Sequence, residues 1–333
     1  MTSHLTWDSS YRSHRPTAAF VTLGAFLVVP GLVATVLRLV PPSDDGTALL
    51  AAFIPYGLVA YALAVLCFGI AVLVARRKAV VLVVFALVAA LFALHLSWIV
   101  PFFVSDGRAA TTKPFTVFSL NMHGGQANPA QVAAQAADAD VVVLVEATPG
   151  ALRALKEFNW DKRFRYSVGD VRDGISNTAI YSRFPLSHSA PLPATSFAQY
   201  VTTAKVPGIG ALRIIAAHPC NPYCGQGRWA SEHAVLRDVV EENLNQPLMV
   251  VGDLNAVDDH GPIRALRDDG LESATDIVGA GWLPTYPANR ALPPLLPIDH
   301  VLLSDQLTAT SIVTVEIDDT DHLGLVATVA GAG

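Results

Sequence analysis

Side chains that can bind metal ions or transfer protons stand at the ends of six apolar, strand-like segments in the C-terminal part of this 333-residue chain. In chain order they are Asn121, Glu146, His218, Asp253 with Asn255, Asp299, and Asp321 with His322. Carboxylate and amide oxygens are the ligands that magnesium prefers, and imidazole exchanges protons near neutral pH. One acidic residue at a strand end can simply mark the surface, but six such ends in one chain indicate a common site.

The segments that must position these side chains alternate between strand-like and helical patterns from Ser105 onward. Strands are predicted at Phe115–Leu120, Val141–Val145, Thr178–Ser182, Leu212–Ala217, Leu248–Val251, Ile298–Leu303, Ser311–Ile317 and Leu325–Val329. Helices are predicted at Pro129–Ala139, Pro149–Phe158, Arg228–Asn245 and Pro262–Asp269. This mixture is typical of a single α/β domain with a large two-sheet core.

The order of the motifs in this domain resembles that of the endonuclease/exonuclease/phosphatase superfamily, which has the DNase I-like fold. The motifs are LNMHG, VVVLVEATP, NTAIYSRFPL, AAHP, VVGDLNA, PIDHVLLS and TDHLGLVA. The resemblance covers about residues 114–330. It implies a four-layered α/β/β/α sandwich, in which two mixed sheets pack face to face with helices outside, and a magnesium-dependent attack on a phosphoester.

The resemblance also implies roles for the residues at the strand ends. Glu146, Asn121 and Asp321 match metal-binding positions, and the expected cofactor is Mg2+, with Mn2+ as the alternative. Asp253 would position or deprotonate the attacking water, and Asn255 would steady the phosphate. These roles agree with the chemistry, because phosphoryl transfer needs a cation that neutralises charge on the phosphate oxygens.

Three further residues complete the expected catalytic set. His322 would protonate or stabilise the phosphate, Asp299 would hold the other nitrogen of that ring, and His218 would donate to a non-bridging oxygen. The alternative for Asp299 is a residue that caps the backbone of its own strand. Asn177 and Arg228 are predicted to contact substrate, although an arginine at the start of a helix is usually just solvated.

Three features around these motifs leave questions open. His123 stands where some relatives carry an acidic or small residue, so the number of metal ions is open. Pro297 stands where many relatives carry an arginine, which removes one expected contact. Trp282, Tyr286 and the proline-rich 284–297 loop suggest either an apolar pocket or a simple packed loop.

The first hundred residues are too apolar for an ordinary soluble domain. The chain is 52% apolar and only 15% charged, with a mean hydropathy of +0.42, and the apolar excess is concentrated near the N-terminus. Three segments, Ala18–Leu37, Leu49–Ala75 and Ala79–Val104, each reach the roughly 20 residues needed to span a bilayer. The alternatives are buried helices of a soluble protein and, for the first segment, a signal peptide. The expected domains are a cytoplasmic tail (1–17), three transmembrane helices (18–104), a linker (105–113) and a catalytic domain (114–333).

Basic residues that flank the three segments indicate the orientation of the chain. Arg12 and Arg15 precede the first segment, and the Arg-Arg-Lys sequence at 76–78 separates the second from the third. Three crossings from a cytoplasmic N-terminus would place the catalytic domain on the extracytoplasmic side of an integral membrane protein. Cys220 and Cys224 suit that side if they form a disulfide, with free thiols and metal thiolates as the alternatives.

Charge gives little support to nucleic acid as the main substrate. From Asp106 onward 16 lysines and arginines oppose 25 acidic residues, a net charge of −9, so no broad electrostatic attraction to duplex DNA is expected. The first hypothesis is a membrane-anchored, metal-dependent phosphoesterase that acts on lipid head groups or on small phosphoesters such as nucleotides. An extracellular nuclease and a catalytically silent binding domain are the alternatives. The bilayer is the expected partner, and the sequence indicates no protein partner.

Overall fold

The chain divides into two compact units in the computed structural model, which describes residues 15–42, 44–76 and 78–333. The first unit comprises residues 15–41 and 53–100, and the second comprises residues 42–52 and 101–333. Arg12, Arg77 and most of the predicted cytoplasmic tail lie outside the described residues.

Long helices that are apolar on every side form the first unit. These helices are α1 (Arg15–Leu39), α3 (Gly57–Val74) and α4 (Lys78–Ile99), and the short helix α2 (Asp45–Ala51) lies between α1 and α3 in the sequence. Helices α1, α3 and α4, with the 3-10 turns that adjoin α3 and α4, are long and apolar enough to cross a membrane. Gly31 lets α1 approach the ring of Tyr61 on α3 closely. Thr35 Oγ1 lies 2.9 Å from Tyr61 Oη and 3.0 Å from His95 Nε2, so hydrogen bonds link all three helices.

The second apolar helix begins later than the sequence predicts. The pattern predicts one segment over Leu49–Ala75, whereas α2 ends at Ala51 and the membrane-length helix begins at Ile54. Pro55 lies in the 3-10 turn between the two helices, where it has no N–H to continue the helical hydrogen bonds of α2. Helix α2 therefore belongs to the second compact unit and not to the apolar helices.

Two six-stranded sheets form the centre of the second unit. The strands are β1 (Phe115–Asn121), β2 (Val141–Val145), β3 (Tyr166–Val168), β4 (Thr178–Ser182), β5 (Leu186–Pro191), β6 (Tyr200–Val206), β7 (Gly210–Ala217), β8 (Leu248–Asp253), β9 (Glu272–Ser273), β10 (Asp299–Leu303), β11 (Leu307–Val315) and β12 (Gly324–Gly331). The strand orders are β11-β12-β1-β2-β4-β3 and β5-β6-β7-β8-β10-β9. The helices are α5 (Pro129–Gln135), α6 (Pro149–Lys156), α7 (Trp160–Arg163), α8 (Arg228–Glu241), α9 (Gly261–Asp268) and α10 (Ala274–Val278).

Apolar side chains pack between the two sheets and on both of their outer faces. Val117 and Val143 of the first sheet meet Ile214 and Val251 of the second sheet in the central layer. Helices α5, α6 and α7 cover the outer face of the first sheet, and α8 and α9 cover that of the second. This is the α/β/β/α sandwich that the motif order implies, so the predicted fold is confirmed.

Four strands were not among the predicted ones, and several boundaries differ. Strands β3, β5 and β9 lie at sheet edges, and β6 pairs with the edge strand β5. Edge strands have one or both faces in solvent, so they lack the continuous apolar run that marks the central strands. Strand β11 begins at Leu307, earlier than predicted, while α5 ends at Gln135 and α8 ends at Glu241, both earlier than predicted.

The segment predicted as a linker packs against the second unit. Arg108 Nη1 donates to the carbonyl oxygen of Leu307 at 3.0 Å, and its Nη2 donates to Glu272 Oε2 at 2.7 Å. The backbone N–H of Thr111 donates to the carbonyl oxygen of Gly331 at 2.8 Å. These bonds fix the segment to strands of both sheets, so it is part of the folded unit.

Candidate active site

Strand pairing brings the polar strand ends next to one another. Strands β1 and β2 are parallel neighbours, so Asn121, which ends β1, and Glu146, which follows β2, lie at the same edge of the first sheet. Strands β7 and β8 are also parallel, which places His218 beside the end of β8 at Asp253. Asp299 begins β10 and is paired directly with Asp253 across the antiparallel ladder. Residues that are up to 178 positions apart in sequence thus become neighbours.

The amide of Asn121 joins the two sheets at the centre of the site. Its Nδ2 donates to Glu146 Oε1 at 3.1 Å and to Asp253 Oδ2 at 3.0 Å, while its Oδ1 accepts from the backbone N–H of His123 at 2.9 Å. The buried His218 directs Nε2 at the same carboxylates, 4.0 Å from Glu146 Oε1 and 3.8 Å from Asp253 Oδ2. Burial raises the pKa of Asp253 and lowers the pKa of His218. Two carboxylates therefore converge where a cation would stabilise their charged forms.

His322 and Asp299 form a buried hydrogen-bonded pair beside these carboxylates. His322 Nδ1 lies 2.8 Å from Asp299 Oδ2, and His322 Nε2 lies 3.7 Å from Asp253 Oδ2. Burial opposes the charged imidazolium, but the Asp299 and Asp253 carboxylates outweigh this effect and raise the pKa of His322 to about 10. The ring is therefore an imidazolium at neutral pH. Asp299 uses Oδ2 to orient that ring, which favours the predicted pairing over the strand-cap alternative.

Three residues at this site have backbone conformations that side chains normally avoid. Glu146, Asn255 and His123 have φ values of 52°, 49° and 48°, in the left-handed region. Such strain persists only where surrounding contacts hold it, and it is common at functional sites. At Gly252, before Asp253, a Cβ atom would collide with the carbonyl oxygen of Ala217, so glycine is needed for the close pairing of β7 and β8.

The side chains present fit a hard divalent cation. Asp253, Asp299 and His322 place one ligand atom each within 4.8 Å of one another, and Asp299 Oδ1 is buried without a hydrogen-bond partner among the described residues. A protonated imidazole cannot ligate a metal, because both ring nitrogens carry hydrogen. We therefore favour a set built around the carboxylate of Glu146, with Asn121 beside it, over a set that includes His322.

The third predicted metal ligand, Asp321, lies in a segment that is fixed to β1. Its Oδ1 is 2.7 Å from Nδ1 of His123, the residue that departs from the family pattern. Thr320, which is not among the predicted site residues, donates from Oγ1 to the carbonyl oxygen of Asn121 at 2.8 Å and accepts from the N–H of His322 at 3.2 Å. Its position directly before the Asp-His pair was the only signal in the sequence. Thr320 thus sets the position of Asp321 and His322 relative to β1.

Asn255 lies beside His218, whereas Asn177 and Arg228, which were predicted to contact substrate, form hydrogen bonds within the protein. Asn255 Nδ2 donates to the carbonyl oxygen of Pro219 at 3.0 Å, next to His218. Asn177 Nδ2 donates to three carbonyl oxygens, those of Ala147, Arg172 and Gly174. Arg228 is exposed at the start of α8 and contacts Gln226 Oε1 at 3.2 Å. To contact phosphate, Asn177 would have to give up the hydrogen bonds by which it holds the loop that contains Arg172 and Gly174.

Two aromatic rings flank the imidazoles. The ring of Tyr286 lies 4.9 Å from that of His322, and Phe197 stacks on His218 with centroids 4.6 Å apart. Tyr286 was expected only as part of a pocket or a packed loop, and Phe197 was missed because a lone aromatic residue in a loop has no motif. Both rings shield the imidazoles from water on one side.

A disulfide lies immediately after His218. The structure joins Cys220 to Cys224, which is the first of the three alternatives that the sequence left open. The buried Glu232 accepts hydrogen bonds from the backbone N–H groups of Cys220 at 2.9 Å and Ser196 at 2.8 Å. The backbone that carries His218 into the site is thus held by a covalent bond and a buried carboxylate.

Comparisons with known proteins agree with this geometry. Residues 118–322 match the model of the Endonuclease/Exonuclease/phosphatase family. A humanized TDP2 of D. rerio with 14 mutations is 16% identical, with a TM-score of 0.53 over 66% of this chain and 99% of that chain. An endonuclease/exonuclease/phosphatase from Beutenbergia cavernae DSM 12333 is 19% identical, with a TM-score of 0.51 over 67% of this chain and 72% of that chain. No curated protein matches the sequence. The family match covers more than half of the sequence, and the chain belongs to the endonuclease/exonuclease/phosphatase family.

Proposed function

We propose that this protein is a membrane-anchored, divalent-metal-dependent phosphoesterase that hydrolyses lipid head groups or small phosphoesters. The single observation that carries the proposal is the convergence of Glu146 and Asp253 on the amide of Asn121, beside the charged His322–Asp299 pair. Hydrolysis of a phosphate ester needs a bound cation and a proton donor. The carboxylates can hold the cation, and the charged imidazole of His322 can donate the proton.

Each side chain then has a defined task. Glu146, Asn121 and Asp321 would hold Mg2+, or Mn2+ in its place, and the bound ion would neutralise charge on the phosphate oxygens. Asp253, whose pKa is raised by burial, would orient and deprotonate the attacking water. The imidazolium of His322 would donate to the phosphate while Asp299 keeps the ring in place.

Two further side chains would steady the phosphate. His218 is buried with Nε2 directed at the carboxylates, so a donor to a non-bridging oxygen would already be positioned before substrate arrives. Asn255 would have to exchange its bond to Pro219 for one to phosphate. Its strained backbone suits a residue that is held for function.

The substrate preference rests on charge and on the membrane anchor. The net charge of −9 from Asp106 onward disfavours broad contact with duplex nucleic acid. The second candidate function is a nuclease, which is favoured by one observation: D. rerio TDP2, 18% identical and similar in fold, was solved with a single-strand DNA product. A tethered domain near a bilayer would meet lipid phosphates at high local concentration.

One observation supports an extracytoplasmic location for the catalytic domain, and a second supports the three-span topology. The Cys220–Cys224 disulfide suits an oxidising compartment. Residues 42–52 fold with residues 101–333, and the chain between them contains two membrane-length helices. Two crossings would return the chain to the same side of the bilayer, as the proposed three-span topology requires.

The test is an assay of the full chain in detergent or nanodiscs with Mg2+. The substrates are bis-p-nitrophenyl phosphate, p-nitrophenyl phosphate, plasmid DNA and vesicles of mixed phospholipids, with His322→Ala as the inactive control. We expect metal-dependent hydrolysis that His322→Ala abolishes, and faster turnover of lipid or small esters than of DNA. Faster cleavage of DNA would favour the nuclease. A folded chain without turnover and without metal binding would favour a binding domain.

A further inference from the structure

We propose that α2, the short helix that connects the first two membrane-length helices, positions the catalytic residues of the second unit. The segment that it holds is residues 253–260, here called the catalytic loop, which begins with Asp253 and Asn255. The loop is called catalytic because of the proposed function, and the inference rests on that function to this extent. The contacts between α2 and the loop do not depend on any reaction.

The first contact passes through a buried histidine. His260 Nε2 lies 2.9 Å from the carbonyl oxygen of Ala48 on α2, and His260 Nδ1 accepts the backbone N–H of Val257 at 2.8 Å. One nitrogen donates and the other accepts, so the ring must be neutral. Burial lowers the pKa of His260 to about 4, which keeps the ring in that form. Helix α2 and the catalytic loop are therefore joined through one fixed imidazole.

The second contact passes through the start of α8. Asp45 Oδ2 on α2 accepts the backbone N–H of Gly227 at 3.1 Å, directly before α8 begins. Two residues later Trp229 Nε1 donates to the carbonyl oxygen of Asn255 at 2.9 Å. Asn255 has a left-handed backbone that needs external support. Asp45 thus fixes the helix whose tryptophan fixes Asn255.

The third contact is apolar packing. Ala48 is fully buried against a cluster that includes Trp229 and Leu254, and Ala52 packs against Val257 and Ile298. Ile298 precedes Asp299, and Leu254 follows Asp253, so both neighbours adjoin catalytic residues. A larger side chain at position 48 would press on this part of the site.

Helix α2 is itself well defined. Asp44 caps it, since the Asp44 Oδ1 atom accepts from the N–H of Thr47 at 3.0 Å. A capped helix that contacts the loop by one hydrogen bond and by packing, and contacts the start of α8 by a second hydrogen bond, can hold the loop in one conformation. Since displacements near 1 Å can cost on the order of 100-fold in rate, such support has direct consequences for catalysis.

The test compares four variants of the full chain in nanodiscs by hydrogen-exchange mass spectrometry and by kinetics on bis-p-nitrophenyl phosphate. Asp45→Ala removes the acceptor for Gly227, and Ala48→Leu overfills the buried position. Asp45→Asn keeps an acceptor, and Leu50→Ser changes an exposed residue of the same helix. Asp45→Asn and Leu50→Ser are the matched controls.

We expect Asp45→Ala and Ala48→Leu to raise exchange in peptides that cover 253–260 and 225–230 by about tenfold, the equivalent of one lost hydrogen bond. Exchange in β1 and β12 should not change, kcat should fall more than KM rises, and Asp45→Asn and Leu50→Ser should match the parent chain. Unchanged exchange at 253–260 in the first two variants, or an equal rise throughout the domain, would overturn the inference. A local rise in a chain without turnover on any substrate would support it while refuting the proposed function.

Discussion

At the residue scale, the chemistry of the site depends on which of its buried side chains are charged. His322 is buried, yet Asp299 and Asp253 keep it protonated, with a pKa of about 10. His218 is equally buried, but its pKa is lowered, so the two imidazoles have different protonation states at neutral pH. One ring can therefore donate as a cation and the other as a neutral hydrogen-bond donor.

Replacement of Asp299 tests the hydrogen-bonded pair. Asp299→Asn keeps the shape of the side chain but removes the charge that holds His322 protonated, so we expect kcat to fall by about 100-fold or more. Steady-state hydrolysis of bis-p-nitrophenyl phosphate measures the effect. Asp305→Asn, at an exposed position, is the matched control. Activity within a few-fold of the parent chain in Asp299→Asn would show that the pair is not needed.

The sequence predicted side chains that end apolar strands and missed those that act through backbone contacts. Asn121, Glu146 and Asp253 are recognisable because a polar residue that stops a buried strand is conspicuous. Thr320 contacts the site through a carbonyl oxygen and an N–H group, and Phe197 through ring stacking. Such contacts depend on three-dimensional position and leave no pattern of residue types.

At the element scale, the covering helices and most of the central strands follow from the apolar pattern, whereas three of the four edge strands, β3, β5 and β9, do not. Strand β5 has mostly exposed residues, so its sequence has no apolar run. Only its pairing with β6 identifies it as a strand. Helix α2 was hidden for a different reason. Its apolar end runs into the second membrane-length segment, and only tertiary contacts separate the two.

The catalytic loop should make the stability of the domain depend on pH through His260. The pKa of His260 is about 4 in the folded protein and about 6.5 in the unfolded chain. Burial opposes the charged ring, and the nearby His233, His300 and Arg264 lower the pKa further. As pH falls below 6.5 the unfolded chain binds the proton first, so stability present above 6.5 is lost toward pH 4. At pH 5 the loss is about 2 kcal/mol.

Thermal unfolding of the full chain, followed by tryptophan fluorescence at pH 7.5 and pH 5, measures this dependence. We expect His260→Gln to lower Tm at pH 7.5 and to shrink the difference between the two pH values. His188→Gln, at an exposed position, should leave that difference unchanged. A pH difference in His260→Gln equal to that of the parent chain would contradict the assignment of a buried neutral ring.

At the scale of the whole molecule, the catalytic unit is discontinuous in sequence. Residues 42–52 belong to it although helices α3 and α4 intervene before residue 101. If both helices cross the bilayer, α2 and residues 101–333 lie on the same side of it, as the contacts between α2 and the catalytic loop require. The anchor would then contribute a part of the folded enzyme in addition to holding it at the membrane.

Cysteine labelling in intact cells tests that topology. Lys162→Cys is on the surface of the catalytic unit, and Arg76→Cys is in the turn between α3 and α4. A membrane-impermeant maleimide should label the first variant and spare the second until the cells are opened, with the parent chain as the background control. The reverse pattern would place the catalytic unit in the cytoplasm.

The most direct test of the central claim is a Mg2+ titration of the metal-stripped full chain, with hydrolysis of bis-p-nitrophenyl phosphate as the readout. We expect no turnover after chelation and full recovery with Mg2+. Glu146→Gln should need at least about tenfold more Mg2+ for half-maximal rate, whereas Glu157→Gln, at an exposed glutamate, should respond like the parent chain. Turnover that persists in chelator, or a Glu146→Gln titration that overlays the parent curve, would contradict a metal-dependent phosphoesterase site at Glu146.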